Sequence, residues 1–120
     1  MTRGIAGLDV SERDGVVVAA LSGEIDSSNA AELRLALSER LPSSATALAL
    51  DLGAVSYLDS SGIQLLFELG RRLAARRQRL RLVVPDGAPT RRVLDLCAIE
   101  VVAPLDRDLD SALRALSATV

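Results

Sequence analysis

The residues with the clearest capacity for chemistry form one run, Asp59-Ser60-Ser61-Gly62. The run follows an apolar, strand-like stretch that ends near Asp51, and it precedes an amphipathic pattern that begins at Ile63. Aspartate and serine oxygens accept hydrogen bonds from the unpaired N–H groups at the start of a helix. The run therefore has two interpretations: an ordinary helix cap, or a serine that a helix N-terminus presents for covalent modification.

The composition argues against most catalytic and metal sites. The 120 residues include no His and no Lys, and Cys97 is the only cysteine. A serine nucleophile would therefore lack an imidazole or amine as its base, and it would lie outside a Gly-x-Ser-x-Gly elbow. His-based metal sites, multi-cysteine metal clusters and internal disulfides are also excluded. We expect a protein that is not an enzyme and needs no cofactor and no metal, with Cys97 as a buried helix thiol.

The charge and the hydropathy of the chain limit the kinds of partner that we expect. The formal net charge is −2, from 16 acidic and 14 basic residues, which predicts no electrostatic attraction to nucleic acid or to an acidic membrane. No apolar run approaches the ~18 residues of a membrane span, and the first residues lack a signal-peptide core. We expect a cytoplasmic protein with one domain over residues 1–120, of which residues 1–6 are loose.

The hydrophobic patterns predict the element order β-β-α-β-α-β-α-β-α. Strands are expected at 8–11, 16–21, 46–52, 80–84 and 99–102. Helices are expected at 30–41, 60–77, 90–97 and 106–118. Strands separated by helices imply parallel neighbours, and the turn at 12–15 makes the first strand antiparallel. The predicted fold class is α/β, a mixed and mostly parallel sheet of about five strands with about four helices.

Three further predictions concern individual side chains. Asn29 and Glu32 have the spacing of a capping box, which predicts that Asn29 caps the first helix. Tyr57 is expected to anchor the core. The arginines between 71 and 79 are expected to form a solvated helix face.

Topology predicts where partners bind. The carboxyl ends of parallel strands meet at one edge of a sheet, and ligands and partners usually bind there. The loops at 23–29, 53–61 and 85–88 follow three of the predicted strands. This edge is acidic and rich in hydroxyl groups, contributed by Glu24, Asp26, Asp51, Asp59, Asp86, Ser27, Ser28, Ser60 and Ser61.

The stretch from Asp51 to Leu66 resembles the signature of STAS domains of the bacterial anti-sigma factor antagonist type. The matching residues are the strand that ends at Asp51, the aromatic Tyr57, and Asp59-Ser60-Ser61-Gly62-Ile63. Two further segments match, Leu21-Ser-Gly-Glu-Ile-Asp26 and Arg92-Val-Leu-Asp-Leu-Cys-Ala-Ile99, so the resemblance covers roughly residues 7–118. The chain departs from the pattern at Gln64, where many members have Gly, and at Cys97-Ala98, where Ser-Gly is common.

The resemblance implies a partner-switching protein. Such antagonists bind an anti-sigma factor that is also a serine kinase, and they thereby release the sigma factor. The kinase phosphorylates the second serine of the motif, which corresponds to Ser61, with Ser60 as the rival acceptor, and a serine phosphatase reverses the modification. The partner-binding residues expected by this resemblance are Gly23, Glu24, Asp26, Asp59, Ser60, Gly62 and Gln64.

Physical reasoning adds two expectations to this picture. The free N–H groups at the helix start are expected to hold a phosphate, and the bare backbone of Gly62 is expected to let a kinase approach Ser61 closely. One alternative function stays open: a STAS scaffold that is not switched, as a subunit of a signalling complex or a lipid-transport accessory protein.

Overall fold

A five-stranded sheet with helices on both faces forms the protein in a computed structural model that describes residues 7–117. The strands are β1 Gly7–Arg13, β2 Val16–Ile25, β3 Ala47–Leu58, β4 Arg79–Val83 and β5 Leu105–Asp106. The helices are α1 Ala30–Arg40, α2 Ser60–Ala75, α3 Arg91–Leu96 and α4 Leu109–Ser117. The strand order is β1-β2-β3-β4-β5, with β1 antiparallel to β2 and all other pairs parallel. The predicted α/β fold class is confirmed.

The β1–β2 hairpin turns at Asp14-Gly15. Both residues have positive φ angles, 52° and 84°, which is the backbone of the tight hairpin turns that match the twist of the flanking strands. The pairing of Arg13 with Val16 begins the antiparallel ladder directly beside this turn. The turn residues therefore set the direction of the first strand, as the sequence predicts.

Successive side chains of a strand point to opposite faces of the sheet, so the core has one cluster on each face. On β2, Val17 and Ala19 pack with helices α1, α2 and α3, whereas Val16 and Val18 pack with α4. Leucines dominate the larger cluster, and many of them are fully buried. Because strands buried on both faces need apolar residues at nearly every position, the run Val16–Val18 specifies a central strand of a layered α/β sheet.

Strands β2 and β3 continue beyond their apolar runs and form a two-stranded extension. Its paired residues include Gly23 with Val55 and Ile25 with Leu58, and the register shifts between Ala20 and Ser22 and between Gly23 and Glu24. Ile25, Val55 and Leu58 are buried, so one face of the extension still belongs to the core. The prediction that the strands end at residues 21 and 52 was wrong. The open face of the extension carries polar residues, so the apolar run stops although the strand pairing continues.

Tyr57 lies on the open face of this extension. Its side chain is 51% exposed, although its neighbours Val55 and Leu58 are buried. The prediction that Tyr57 anchors the core was therefore wrong. The register of a strand decides whether an aromatic side chain faces the core or the solvent, and here Tyr57 faces the solvent.

The last strand also differs from the sequence prediction. Residues Ile99–Val101 form a 3₁₀ turn, not a strand, and it begins after Ala98 in the left-handed conformation, φ 56°. Ile99 is buried but Val101 is 80% exposed, so the apolar run contributes one core residue instead of a pairing strand. The fifth strand follows Pro104, and the Leu82 N–H donates to the Pro104 carbonyl at 2.9 Å.

The final helix begins later than the predicted residue 106, at Leu109. Its start is fixed by Asp108, whose Oδ1 accepts the Ser111 N–H at 2.7 Å. This backbone hydrogen bond, more than any other cause, lowers the pKa of Asp108. The expectations that residues 1–6 are loose and that this helix reaches Ala118 concern positions outside the described residues.

Gly70 lets α2 pass close to the segment that leads into β5. A Cβ at this position would lie 2.8 Å from Val102 Cβ and 3.2 Å from the Val102 carbonyl oxygen. We expect Gly70→Ala to lower the free energy of unfolding by about 1–2 kcal/mol, because the overpacking cost exceeds the gain in helix propensity. Urea titration measures this change.

Gly87→Ala is the matched control. Apart from its chain neighbours, no atom of the described residues lies within 4 Å of a Cβ at Gly87. The same substitution should therefore leave the stability unchanged or raise it by up to about 1 kcal/mol. Equal stability of Gly70→Ala and the unchanged protein would contradict the close approach of α2.

Candidate functional site

Asp59 caps helix α2 and fixes the position of the two serines that follow it. Its Oδ1 accepts the N–H of Ser61 at 2.8 Å and the N–H of Gly62 at 3.1 Å. The Asp59 carbonyl accepts the Ile63 N–H at 3.0 Å. The helix-cap interpretation is thus confirmed for Asp59, and its carboxylate already pairs with two amides of the first turn.

The same carboxylate joins the helix to a neighbouring loop. Asp59 Oδ2 accepts the N–H of Ser27, which lies between β2 and α1, at 3.2 Å. The Asp59 N–H in turn donates to the Ile25 carbonyl at the end of β2, also at 3.2 Å. Residues that are 32 positions apart in the sequence therefore share one side chain, and the two loops at this edge form one connected structure.

The loop between β2 and α1 is held by its own side chains. Asn29 is buried, its Oδ1 accepts the Asp26 N–H at 3.0 Å, and its Nδ2 donates to the Glu24 carbonyl at 2.8 Å. Asp26 Oδ1 accepts both the N–H and the hydroxyl of Ser28. Asn29 makes no side-chain bond to the amides of α1, so the capping-box prediction was wrong: its amide closes the preceding turn instead.

Gly62 is buried in the first turn of α2. A Cβ there would lie 2.8 Å from Leu58 Cδ2 and 3.1 Å from the Ile25 carbonyl oxygen. The glycine therefore lets the first turn of α2 sit directly against the ends of β2 and β3. This contact gives a packing reason for Gly62 that differs from the expected opening for a kinase.

Ser61 lines a groove between α1 and α2, which we call the α1/α2 groove. Its volume is about 250 Å³, and it is lined by Ser27, Ala30, Ala31, Arg34, Ser61, Gln64, Leu65 and Glu68. Ser61 is half-buried there, whereas Ser60 is exposed and does not line the groove. The two adjacent hydroxyl-bearing residues therefore occupy different environments.

One loose charge pair spans the α1/α2 groove. Arg34 Nε lies 3.8 Å from Glu68 Oε1, and the two side chains are 49% and 41% exposed. Gln64 Nε2 donates to Glu68 Oε2 at 3.3 Å. Sequence reasoning missed Arg34 and Glu68, although Ser61, Gln64 and Glu68 are spaced at i, i+3 and i+7, which places them on one face of a helix.

The other predicted edge residues divide into two groups. Gly23 and Glu24 are exposed on the β2–β3 extension, and Gly23 has a positive φ angle of 88°. Asp86 instead lies near two arginine side chains, 3.8 Å from Arg91 Nη1 and 3.7 Å from Arg107 Nη1. The loop after β4 therefore has its own charge pairs, separate from the hydrogen bonds around Asp59.

The remaining surface features are simpler. Arg71 and Arg72 lie on α2 and are exposed, as the sequence predicts. The prediction of a helix face was wrong for Arg79, which lies in β4 and donates to the carbonyls of Ala115 and Leu116. The thiol of Cys97 is half-buried and donates to the Leu94 carbonyl at 3.4 Å. Between residues 7 and 117, no group of three or more His, Cys, Asp or Glu side chains is arranged to hold a metal ion. In the same part of the chain, no helix is both long enough and apolar enough to cross a membrane.

Comparison with known proteins gives the family. The family model of the STAS domain matches residues 7–112, which is nearly the whole of the described sheet and its helices. The chain belongs to the STAS domain family. Its sheet order and the cap at Asp59 can therefore be compared with other STAS domains.

Three similar proteins illustrate the comparison. The anti-sigma-F factor antagonist RsfB of Mycobacterium tuberculosis is 34% identical over 105 residues, 87% of this chain and 84% of RsfB. The crystal structure of an anti-sigma factor antagonist from Mycobacterium paratuberculosis is 34% identical, with a TM-score of 0.83 over 93% of this chain and 94% of that one. Bacillus SpoIIAA in its phosphorylated form shares the fold at 23% identity, with a TM-score of 0.66 over 91% and 99% of the two chains.

The cap of α2 can be tested directly at Asp59. We expect Asp59→Ala to lower the free energy of unfolding by about 1–2 kcal/mol, because it removes a helix cap and leaves the paired amides without their acceptor. Amide proton shifts and hydrogen exchange should change at Ser27, Ser61 and Gly62 together, relative to amides of the core. Asp59→Asn should have a smaller effect, since one acceptor oxygen remains.

Asp108→Ala is the control for this experiment. It removes the cap of α4 and should also reduce stability, but it should leave the amide signals of Ser27 and Ser61 unchanged. If Asp59→Ala altered only the α2 amides and not Ser27, the bridging role of Asp59 would be refuted.

Proposed function

We propose that this STAS domain protein is an anti-sigma factor antagonist whose binding is controlled by phosphorylation of Ser61. It binds an anti-sigma factor that is also a serine kinase and so releases the sigma factor. The kinase transfers the γ-phosphoryl group of ATP to Ser61 Oγ, ADP leaves, and the hydroxyl proton is lost. A serine phosphatase restores the free hydroxyl by hydrolysis.

The observation that supports this function most strongly is the position of Ser61. It lies in the first turn of a helix that Asp59 holds in place, within a chain 34% identical to RsfB over 105 residues. A fixed backbone suits a modification site, because the kinase and the phosphatase then meet the same geometry at the serine. SpoIIAA, a protein with this fold, has been solved in a phosphorylated form.

The partner-binding surface in this proposal surrounds Ser61. Its exposed members are Gly23, Glu24, Ser60 and Gln64, and half-buried Asp26 and Asp59 form its hydrogen-bonded base. Tyr57 adds an exposed aromatic side chain of the type enriched in protein interfaces. Gly62 is buried and contributes by seating the start of the helix against the ends of β2 and β3.

Phosphorylation would act mainly by adding charge and bulk to this surface. A phosphoserine carries about −1.5 to −2 charges at neutral pH. The Ser61 and Gly62 N–H groups already pair with Asp59, so the phosphate lies beside an existing carboxylate and does not bind unpaired amides. A like-charge contact at ~4 Å costs about 1 kcal/mol in water and more when desolvated, so a few such contacts with a partner weaken binding by orders of magnitude.

Substitution at Ser61 tests the assignment. With a candidate kinase from the same genome and ATP, Ser61→Ala should lose phosphate labelling and keep binding the anti-sigma factor, because no charge can be added. Ser61→Asp should bind at least about tenfold more weakly, a change of about 1.4 kcal/mol. Phosphate incorporation by mass spectrometry and affinity by calorimetry are the measurements.

Ser60→Ala is the matched control, and it should be labelled like the unchanged protein. Labelling that persists in Ser61→Ala but is lost in Ser60→Ala would move the acceptor to Ser60. Recovery of membrane transport components instead of a kinase in a pull-down would favour the scaffold function.

A further inference from the structure

We propose that Arg34 binds the phosphate group of phosphorylated Ser61 across the α1/α2 groove, and that it gives up its pairing with Glu68 to do so. This inference rests on the proposed phosphorylation of Ser61. It concerns what the modified protein does with the new charge, and it assigns to Arg34 a role that its position on an exposed helix face does not reveal in the sequence.

The helix N-terminus is poorly placed to take the phosphate. Asp59 Oδ1 accepts the N–H groups of both Ser61 and Gly62, at 2.8 and 3.1 Å. A phosphate that took these amides would have to displace the Asp59 carboxylate and break its bond to Ser27. A dianion next to a carboxylate that stays in place is repelled by it, so the phosphate is driven away from the cap.

The α1/α2 groove, which Ser61 also lines, contains a cation. Among the described residues that line it, Arg34 is the one base and Glu68 the one acid. Ala30 and Ala31 form part of the α1 wall, and their small side chains leave the volume of about 250 Å³ open. A phosphate on Ser61 can therefore enter a space that already has a guanidinium at its side.

The existing partner of Arg34 is easily replaced. The Arg34–Glu68 separation of 3.8 Å is long for a hydrogen-bonded ion pair, and both side chains are partly exposed to solvent. Glu68 also accepts from Gln64, so it keeps a hydrogen bond when Arg34 leaves. A phosphate dianion carries more charge than a carboxylate and matches the planar fork of arginine in a bidentate arrangement.

This exchange alters the surface on both helices. Arg34 turns from Glu68 toward position 61, and Glu68 loses its cationic partner but keeps the hydrogen bond from Gln64. The phosphorylated protein therefore differs from the unphosphorylated protein at one turn of α1 and two turns of α2. A partner or a phosphatase can distinguish the two forms by these side chains as well as by the phosphate itself.

The test uses full-length protein with phosphoserine placed at position 61 during synthesis by genetic code expansion. The second ionisation of the phosphate is followed by ³¹P NMR as a function of pH. The charged groups around it are Asp59 at the cap, Asp26 in the loop, Glu68 on α2 and Arg34 on α1. Because a cation stabilises the dianion, Arg34→Gln should raise the phosphate pKa by about 0.5 unit, the scale of an exposed ion pair.

Arg72→Gln is the matched control, since it removes the same charge from α2. Arg72 does not line the groove, and its Nη1 donates to Ser38 Oγ at 2.8 Å. This substitution should shift the phosphate pKa much less than Arg34→Gln does, and Arg34→Lys should retain most of the effect of the cation. Equal shifts in Arg34→Gln and Arg72→Gln, or no shift in either, would refute the contact. The phosphate is installed without a kinase, so failure of a kinase to label Ser61 would count against the proposed function and not against this contact.

Discussion

The structure around the candidate site depends on the hydrogen bonds of one carboxylate. Asp59 pairs with two amides of α2 and with the amide of Ser27 in the loop before α1. The loop has internal bonds through Asn29, but Asp59 Oδ2 ties it to the helix start. The helix end and the loop therefore keep a fixed relative position, and a surface composed of both can be recognised as a unit.

Close backbone packing makes this arrangement possible. Gly62 and Gly70 both lie on α2 where a side chain would meet backbone or branched side chains, of Ile25 in one case and Val102 in the other. The helix is thereby held against the ends of β2 and β3 at its first turn, and against the segment that leads into β5 two turns later. The apolar face between them, which includes Leu65, Leu66 and Leu69, is buried, so the polar face is left to form the groove.

Much of this fold was predictable because its signals are local. The Asp14-Gly15 turn, the buried run at Val16 and the capping oxygen of Asp59 each follow from residue type and spacing. The failures have two causes. The side-chain amide of Asn29 bonds to the backbone of the preceding turn, at Glu24 and Asp26, and not to α1. The apolar run at Ile99 and the α1/α2 groove instead depend on tertiary neighbours, which the residue types of one segment do not reveal.

The two edges of the sheet have a consequence for how this protein associates. The edge strand β1 exposes Asp9, Glu12 and Arg13, and the opposite strand β5 has only two residues. Charged or very short edge strands are poor templates for adding a strand from another chain. The described sheet is therefore protected against indiscriminate edge-to-edge pairing. The proposed partner recognition accordingly depends on side chains at the loop edge, where one substitution or one modification would change the choice of partner.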